Sequence, residues 1–177
     1  MTLYHYTTQK LYDEIEASGM IKVASGGIGA KELAVCWFTK SADWDETANK
    51  GLEVEHRGKD IRVTATRRLT HHMGRGLARI VCDDSVATCD WKTFKHRSGI
   101  KAKHASSLFR AAQNCGVKAS DWRVSFEPIG REKWNKIEFW DGSDWIADRP
   151  HVERLTKEEM TEIVKDQINR GKYFIVP

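Results

Sequence analysis

Between residues 123 and 147 three extended segments follow one another with no helical stretch between them. RVSFEPI occupies residues 123–129, and residues 136–140 and 144–147 flank the turn DGS as a hairpin. Parallel neighbours need a crossover of a dozen or more residues, usually a helix, so strands this close in sequence pair antiparallel. Further extended segments lie at residues 3–7, 21–23, 33–39 and 77–82, and KYFIVP closes the chain. Ile61, Val63 and Ala65 alternate as in an edge strand. Helical signals are fewer. Thr7 or Thr8 caps a helix reaching Ala17, with Leu11, Tyr12 and Ile15 on its apolar face and Gly19 at its end. Ser41 caps a short helix, and Ser106 or Ser107 starts one that runs to Asn114. Thr156 and Glu159 form a capping box ahead of Met160, Ile163, Val164 and Ile168. Residues 25–32 read as a glycine-rich connector and residues 83–104 as loop. Strands that outnumber helices and run consecutively favour a single α+β domain over a doubly wound sheet.

Charge divides the chain. Residues 57–110 hold thirteen Lys or Arg against four Asp, a surplus of +9, while the remainder carries −5. A basic middle suits an anionic partner such as a nucleic acid or a pyrophosphate. No apolar run approaches a membrane span, and the N-terminus lacks a signal-peptide pattern, so a cytoplasmic protein is expected. Four cysteines without a CxxC pair fit reduced thiols, and no metal site is expected. His71 and His72 are adjacent with no carboxylate cluster to complete a site, and RRLTHHMGRG reads as a mobile loop over an anion.

Three segments carry a resemblance. LYHYTTQKLYDEIEASGMI places His5 between two tyrosines on a strand that turns at once into a helix; CWFTKSADWDETANK is an aromatic strand leading into a helix; RVSFEPI is a late strand bearing an acid. Together they resemble the ADP-ribosyltransferases of the diphtheria-toxin and poly-ADP-ribose-polymerase type, whose sites combine a histidine, an aromatic residue and a glutamate. The first 50 residues carry most of the likeness. It implies a split antiparallel or mixed sheet flanked by helices, with NAD+ as co-substrate and no metal.

The same resemblance implies roles. His5 would bond a ribose hydroxyl on the adenosine side, with Thr7 beside it and backbone near Tyr6 holding the nicotinamide amide. Trp37 or Phe38, or else Trp44, would stack on the cationic ring, a contact worth about 0.5–2 kcal/mol. Glu127, with Glu138 and Glu132 as rivals, would offset positive charge developing on the sugar. Arg79 or Arg123 would face the pyrophosphate. The expected activity is transfer of ADP-ribose to a nucleic acid or protein; acting on host proteins would make it toxin-like. The alternative is a non-catalytic nucleic-acid-binding or inhibitor protein of degenerate ADP-ribosyltransferase-like fold. It would use Arg67, Arg68, Arg75, Lys101 and Lys103 on phosphates and Trp91 or Phe94 on bases.

Overall fold

In the computed structural model the described residues are 1–24, 29 and 31–175. The chain begins with β1 (Thr2–Thr8), and Thr8 then serves as the cap of α1 (Gln9–Ser18), its hydroxyl accepting from the Leu11 amide. Gly19 ends the helix at φ 66°, a left-handed conformation that side chains with a Cβ disfavour. There follow β2 (Met20–Ile21), β3 (Cys36–Thr39), β4 (Gly51–His56), β5 (Lys59–Thr64), α2 (Arg67–Met73), β6 (Leu77–Asp83), β7 (Cys89–Asp90), α3 (Trp91–Arg97) and α4 (Ala102–Asn114). The last third contains β8 (Trp122–Ser125), β9 (Ile129–Gly130), β10 (Trp134–Trp140), β11 (Trp145–Ile146), α5 (Lys157–Asn169) and β12 (Tyr173–Ile175).

Seven strands form the main sheet in the order β11-β10-β6-β1-β3-β8-β7, and every registered pair in it is antiparallel. A three-stranded sheet, β12-β5-β4, and the pair β2-β9 complete the architecture. The protein is thus a single α+β domain with a mostly antiparallel sheet and five α-helices among the described residues.

Strand alternation divides the core. Cys36 and Phe38 point to one face of β3, where they join Leu3, Ile80, Cys82 and Phe139 beneath Tyr12 and Ile15 of α1. Val35 and Trp37 point to the other, where Phe94 of α3 and Leu108 of α4 cover them. Burying a side chain such as Ile80 on one face or Val35 on the other contributes about 1.5–3 kcal/mol, so both faces of the sheet are fixed by packing. The cysteines are free thiols, three of them buried. No helix among the described residues is long and apolar enough to cross a membrane.

Several elements differ from the sequence expectations. The strand holding Ile61 and Val63 is not an edge; it lies between β4 and β12, because the closing segment adds to it through Tyr173↔Val63. The first seven residues of RRLTHHMGRG form helix α2, capped by Thr66 accepting from the Leu69 amide, with Leu69 and Thr70 buried, and the rest is the turn after it. Residues 83–104 contain α3, started by Asp90 accepting from the Thr93 amide at 2.8 Å. The short helix after β3 is a 3-10 turn, Glu46–Ala48, capped by Asp45 rather than Ser41. Helix α4 starts at Ala102, ahead of Ser106. The capping box of α5 forms as expected, with both reciprocal bonds between Thr156 and Glu159. Most of the glycine-rich connector lies outside the described residues.

Candidate functional site

The main sheet is weakest at one seam. β1 pairs with β6 at seven positions from Thr2↔Asp83 to Thr8↔Leu77, but with β3 only at Tyr4↔Thr39. The next pair of that kind in this register would be Tyr6 with Trp37. It does not form; the imidazole of His5 occupies the seam instead, its Nδ1 2.9 Å from the carbonyl oxygen of Trp37. A carbonyl only accepts, so Nδ1 carries the proton and Nε2 of the neutral ring is an acceptor. Burial lowers the pKa of His5 below its ordinary value; the Trp37 bond opposes this and nearby Lys50 adds to it, so the ring is neutral at pH 7.

Where the strands part, a cleft of about 380 Å3 opens, within the size range of small-molecule sites. Tyr4, His5 and Tyr6 form one wall and Trp37, Thr39 and Trp122 another. Asp45, Asn49 and Lys50 supply polar groups, and Leu108 and Ala111 of α4 close the apolar side. Its walls are therefore aromatic, with one carboxylate, one ammonium and one imidazole among the described lining residues.

Asp45 is only 4% exposed. Its Oδ1 accepts from the amide and the hydroxyl of Thr47, and its Oδ2 accepts from the Trp122 indole at 3.0 Å. A carboxylate offers about four acceptor positions, which leaves one on Oδ2. Lys50 is partly buried, and burial lowers its pKa. Its backbone is held by the Thr70 hydroxyl and the Ala65 amide, and it forms no ion pair among the described residues.

The expected residues divide into those that meet at the cleft and those that do not. His5, Tyr6, Trp37 and Phe38 meet there. Tyr6 is buried and its hydroxyl donates to the Ser41 carbonyl at 2.7 Å. The Phe38 ring belongs to the core facing α1, 5.6 Å from the His5 ring. Trp44 lies behind the wall, packed on Tyr6 at 4.9 Å, with its indole donating to Asn49. Thr7 is buried opposite Ala78 and does not line the cleft.

Glu127 does not join His5. β8 ends at Ser125, whose hydroxyl both accepts from the Glu127 amide and donates to its carbonyl. The chain then leaves the main sheet so that Ile129 can pair with Ile21, and the Glu127 side chain is left exposed. Glu132 is exposed on a 3-10 turn. Glu138 is buried two strands from β1, where Arg79 donates to it at 2.6 Å and Lys136 at 2.7 Å. Burial alone would raise its pKa, but these two bonds outweigh burial and hold it low. Arg79 also bonds the Ala42 carbonyl and lies over the Tyr4 ring. Arg123 bonds the carbonyls of Ser120 and Trp122. Both arginines are thus engaged within the fold rather than in the cleft.

The five basic residues expected on phosphates fall into two groups. Arg67 lies 3.5 Å from the Trp140 ring centroid and pairs with Asp43; Arg68 pairs with Glu159; Arg75 sits exposed on the turn after α2. Lys101 and Lys103 are exposed at the start of α4. His71 and His72 are neighbours on α2, and His72 Nδ1 accepts from the Leu155 amide at 2.9 Å. The described residues contain no group of three or more His, Cys, Asp or Glu able to hold a metal ion.

Sequence reasoning passed over Asp45, Asn49 and Lys50. Asp45 stands next to Trp44 inside the segment that carried the resemblance, and that adjacency was the available signal. Comparison with protein-family models, curated proteins and solved structures finds no match for this chain.

Proposed function

We propose that the β1–β3 cleft binds NAD+ and that the protein transfers ADP-ribose to a macromolecular acceptor. The observation that carries this reading is the seam itself: His5 replaces a strand pairing and opens an aromatic slot that also holds a buried carboxylate. Trp37 offers a ring face to the cationic nicotinamide. His5, neutral and with Nε2 free to accept, bonds a ribose hydroxyl. Asp45 takes the role expected of Glu127, its remaining acceptor position turned to the sugar. The bond between C1′ and the nicotinamide nitrogen breaks with its electron pair on nicotinamide, which leaves neutral. Positive charge grows on the sugar, and a fixed carboxylate nearby offsets it. The acceptor's nucleophilic atom bonds C1′ and gives up a proton.

A second reading keeps the slot and drops the chemistry: a non-catalytic protein that binds nucleic acid or a nucleotide. The engagement of Asp45 by Thr47 and Trp122 favours it, since only one lone pair is left for a substrate. Incubation with NAD+ separates the two. Transferase activity releases nicotinamide and adds an ADP-ribose mass to the acceptor. Binding of ADP-ribose without nicotinamide release supports the second reading and excludes the first.

A further inference from the structure

From Trp91 to Ser120 the chain contains no Asp or Glu and seven Lys or Arg. This stretch folds into α3, α4 and their connections, and all seven cationic side chains are exposed. None of them forms an ion pair with a carboxylate among the described residues, unlike Arg67 and Arg68 on α2. Between the two helices lies a recess of about 310 Å3, lined by Trp91, Lys95, Ala105, Ser106, Phe109 and Arg110. Phe109 is 43% exposed there, although α4 buries Ala105 and Ala112 on its inner side. Lys95 extends over Trp91 at 5.7 Å. Phe94, by contrast, is sealed in the core and cannot meet a base.

We propose that α3 and α4 form a docking face for single-stranded nucleic acid, with one base seated on Phe109 beside Trp91 and phosphates held by Lys92, Lys95, Lys103 and Arg110. The carboxylates nearest these helices, Asp90 and Glu32, are engaged at the helix N-termini by the Thr93 amide and by the Lys101 amide and His104. The seven cations left without ion pairs match a polyphosphate backbone. An exposed ring set among them matches a base, and only an unstacked base of a single strand can reach it. The opposite edge of α4, Leu108 and Ala111, lines the β1–β3 cleft. A strand on this face would therefore pass beside the cleft as the acceptor, a step that rests on the transferase reading; the binding itself does not.

The test is fluorescence anisotropy of a labelled 12-nucleotide single strand across a potassium chloride series, without NAD+. Phe109→Ala should weaken binding about 5- to 100-fold, and Phe109→Trp should restore it. Lys95→Glu with Arg110→Glu should weaken binding further and flatten its salt dependence. Arg68→Ala should leave it unchanged. Binding unaffected by the Phe109 and charge-reversal variants, or lost equally in Arg68→Ala, would overturn the proposal. So would displacement of the strand by poly-glutamate at matched charge, which would mark the face as a general acidic-peptide surface. Thermal melting of each variant confirms that the fold is retained.

Discussion

His5 donates its Nδ1 proton to the Trp37 carbonyl across 2.9 Å, so one side chain satisfies a carbonyl that strand pairing leaves free at this seam. The bond also fixes which ring nitrogen is left to accept. His5→Phe keeps a ring of similar volume but leaves a buried carbonyl unpaired, at a cost of about 1–3 kcal/mol. His5→Gln retains a donor and should lose less. Urea denaturation of the two variants measures the difference, and equal stability would contradict a bonding role for the imidazole.

Stability should fall as pH drops below 6.5. Burial lowers the folded-state pKa of both His5 and His71. Below pH 6.5 the unfolded chain therefore takes up protons that the folded protein refuses, and stability rises with pH across that window. Each such group contributes a slope of at most about 1.4 kcal/mol per pH unit. Removing one should flatten the curve. Denaturation between pH 5.5 and 7.5 for wild type and His5→Gln tests this; a slope unchanged in the variant would show that His5 is not the group responsible.

Asp45 and Glu127 should behave in opposite ways. Asp45→Asn keeps the side chain's shape but removes its charge and sets an amide against the Trp122 indole. Nicotinamide release should drop by about 10²- to 10³-fold, as for loss of one electrostatic contact to a transition state. Glu127→Ala, at an exposed position, should stay within about 0.5 kcal/mol in stability and leave turnover intact. Initial-rate measurements decide, and the reverse pattern would restore Glu127.

Glu138 should prove structural. It is 9% exposed and shares Arg79 and Lys136 as its partners. Glu138→Ala would strand the Arg79 guanidinium between Tyr4 and Trp145, a loss of about 3–5 kcal/mol for a broken buried pair. The double change Glu138→Leu with Arg79→Met should recover much of it. Calorimetric melting of the three proteins reads both effects.

Local signals made parts of the fold legible. The Thr8 cap, the Gly19 stop and the Thr156–Glu159 box are short-range interactions, and each appears where the residue types place it. The DGS hairpin does too. Long-range partnerships were not legible. β5 becomes a central strand only because the C-terminal segment returns to it. α3 is only seven residues, about two turns, and its helicity comes from packing Phe94 under the sheet, not from periodicity. At the site, His5 and Trp37 were visible because aromatic residues around a lone histidine on a strand are unusual. Asp45 was hidden because an acid just after a strand reads as a helix cap, and it is one. Glu127 misled because its strand ends at Ser125, four residues before the expected end at Ile129, once Ser125 turns the chain toward β2.

The most direct measurement is ¹⁵N NMR of histidine-labelled protein titrated with NAD+, with His5 assigned by His5→Gln. In the free protein His5 should show a neutral ring protonated at Nδ1. On saturation its Nε2 resonance should move as that nitrogen accepts a ribose hydroxyl, while His71 and His72 stay in place. A His5 signal that remains still while NAD+ binds elsewhere, or no binding at all, would contradict a nucleotide slot between β1 and β3.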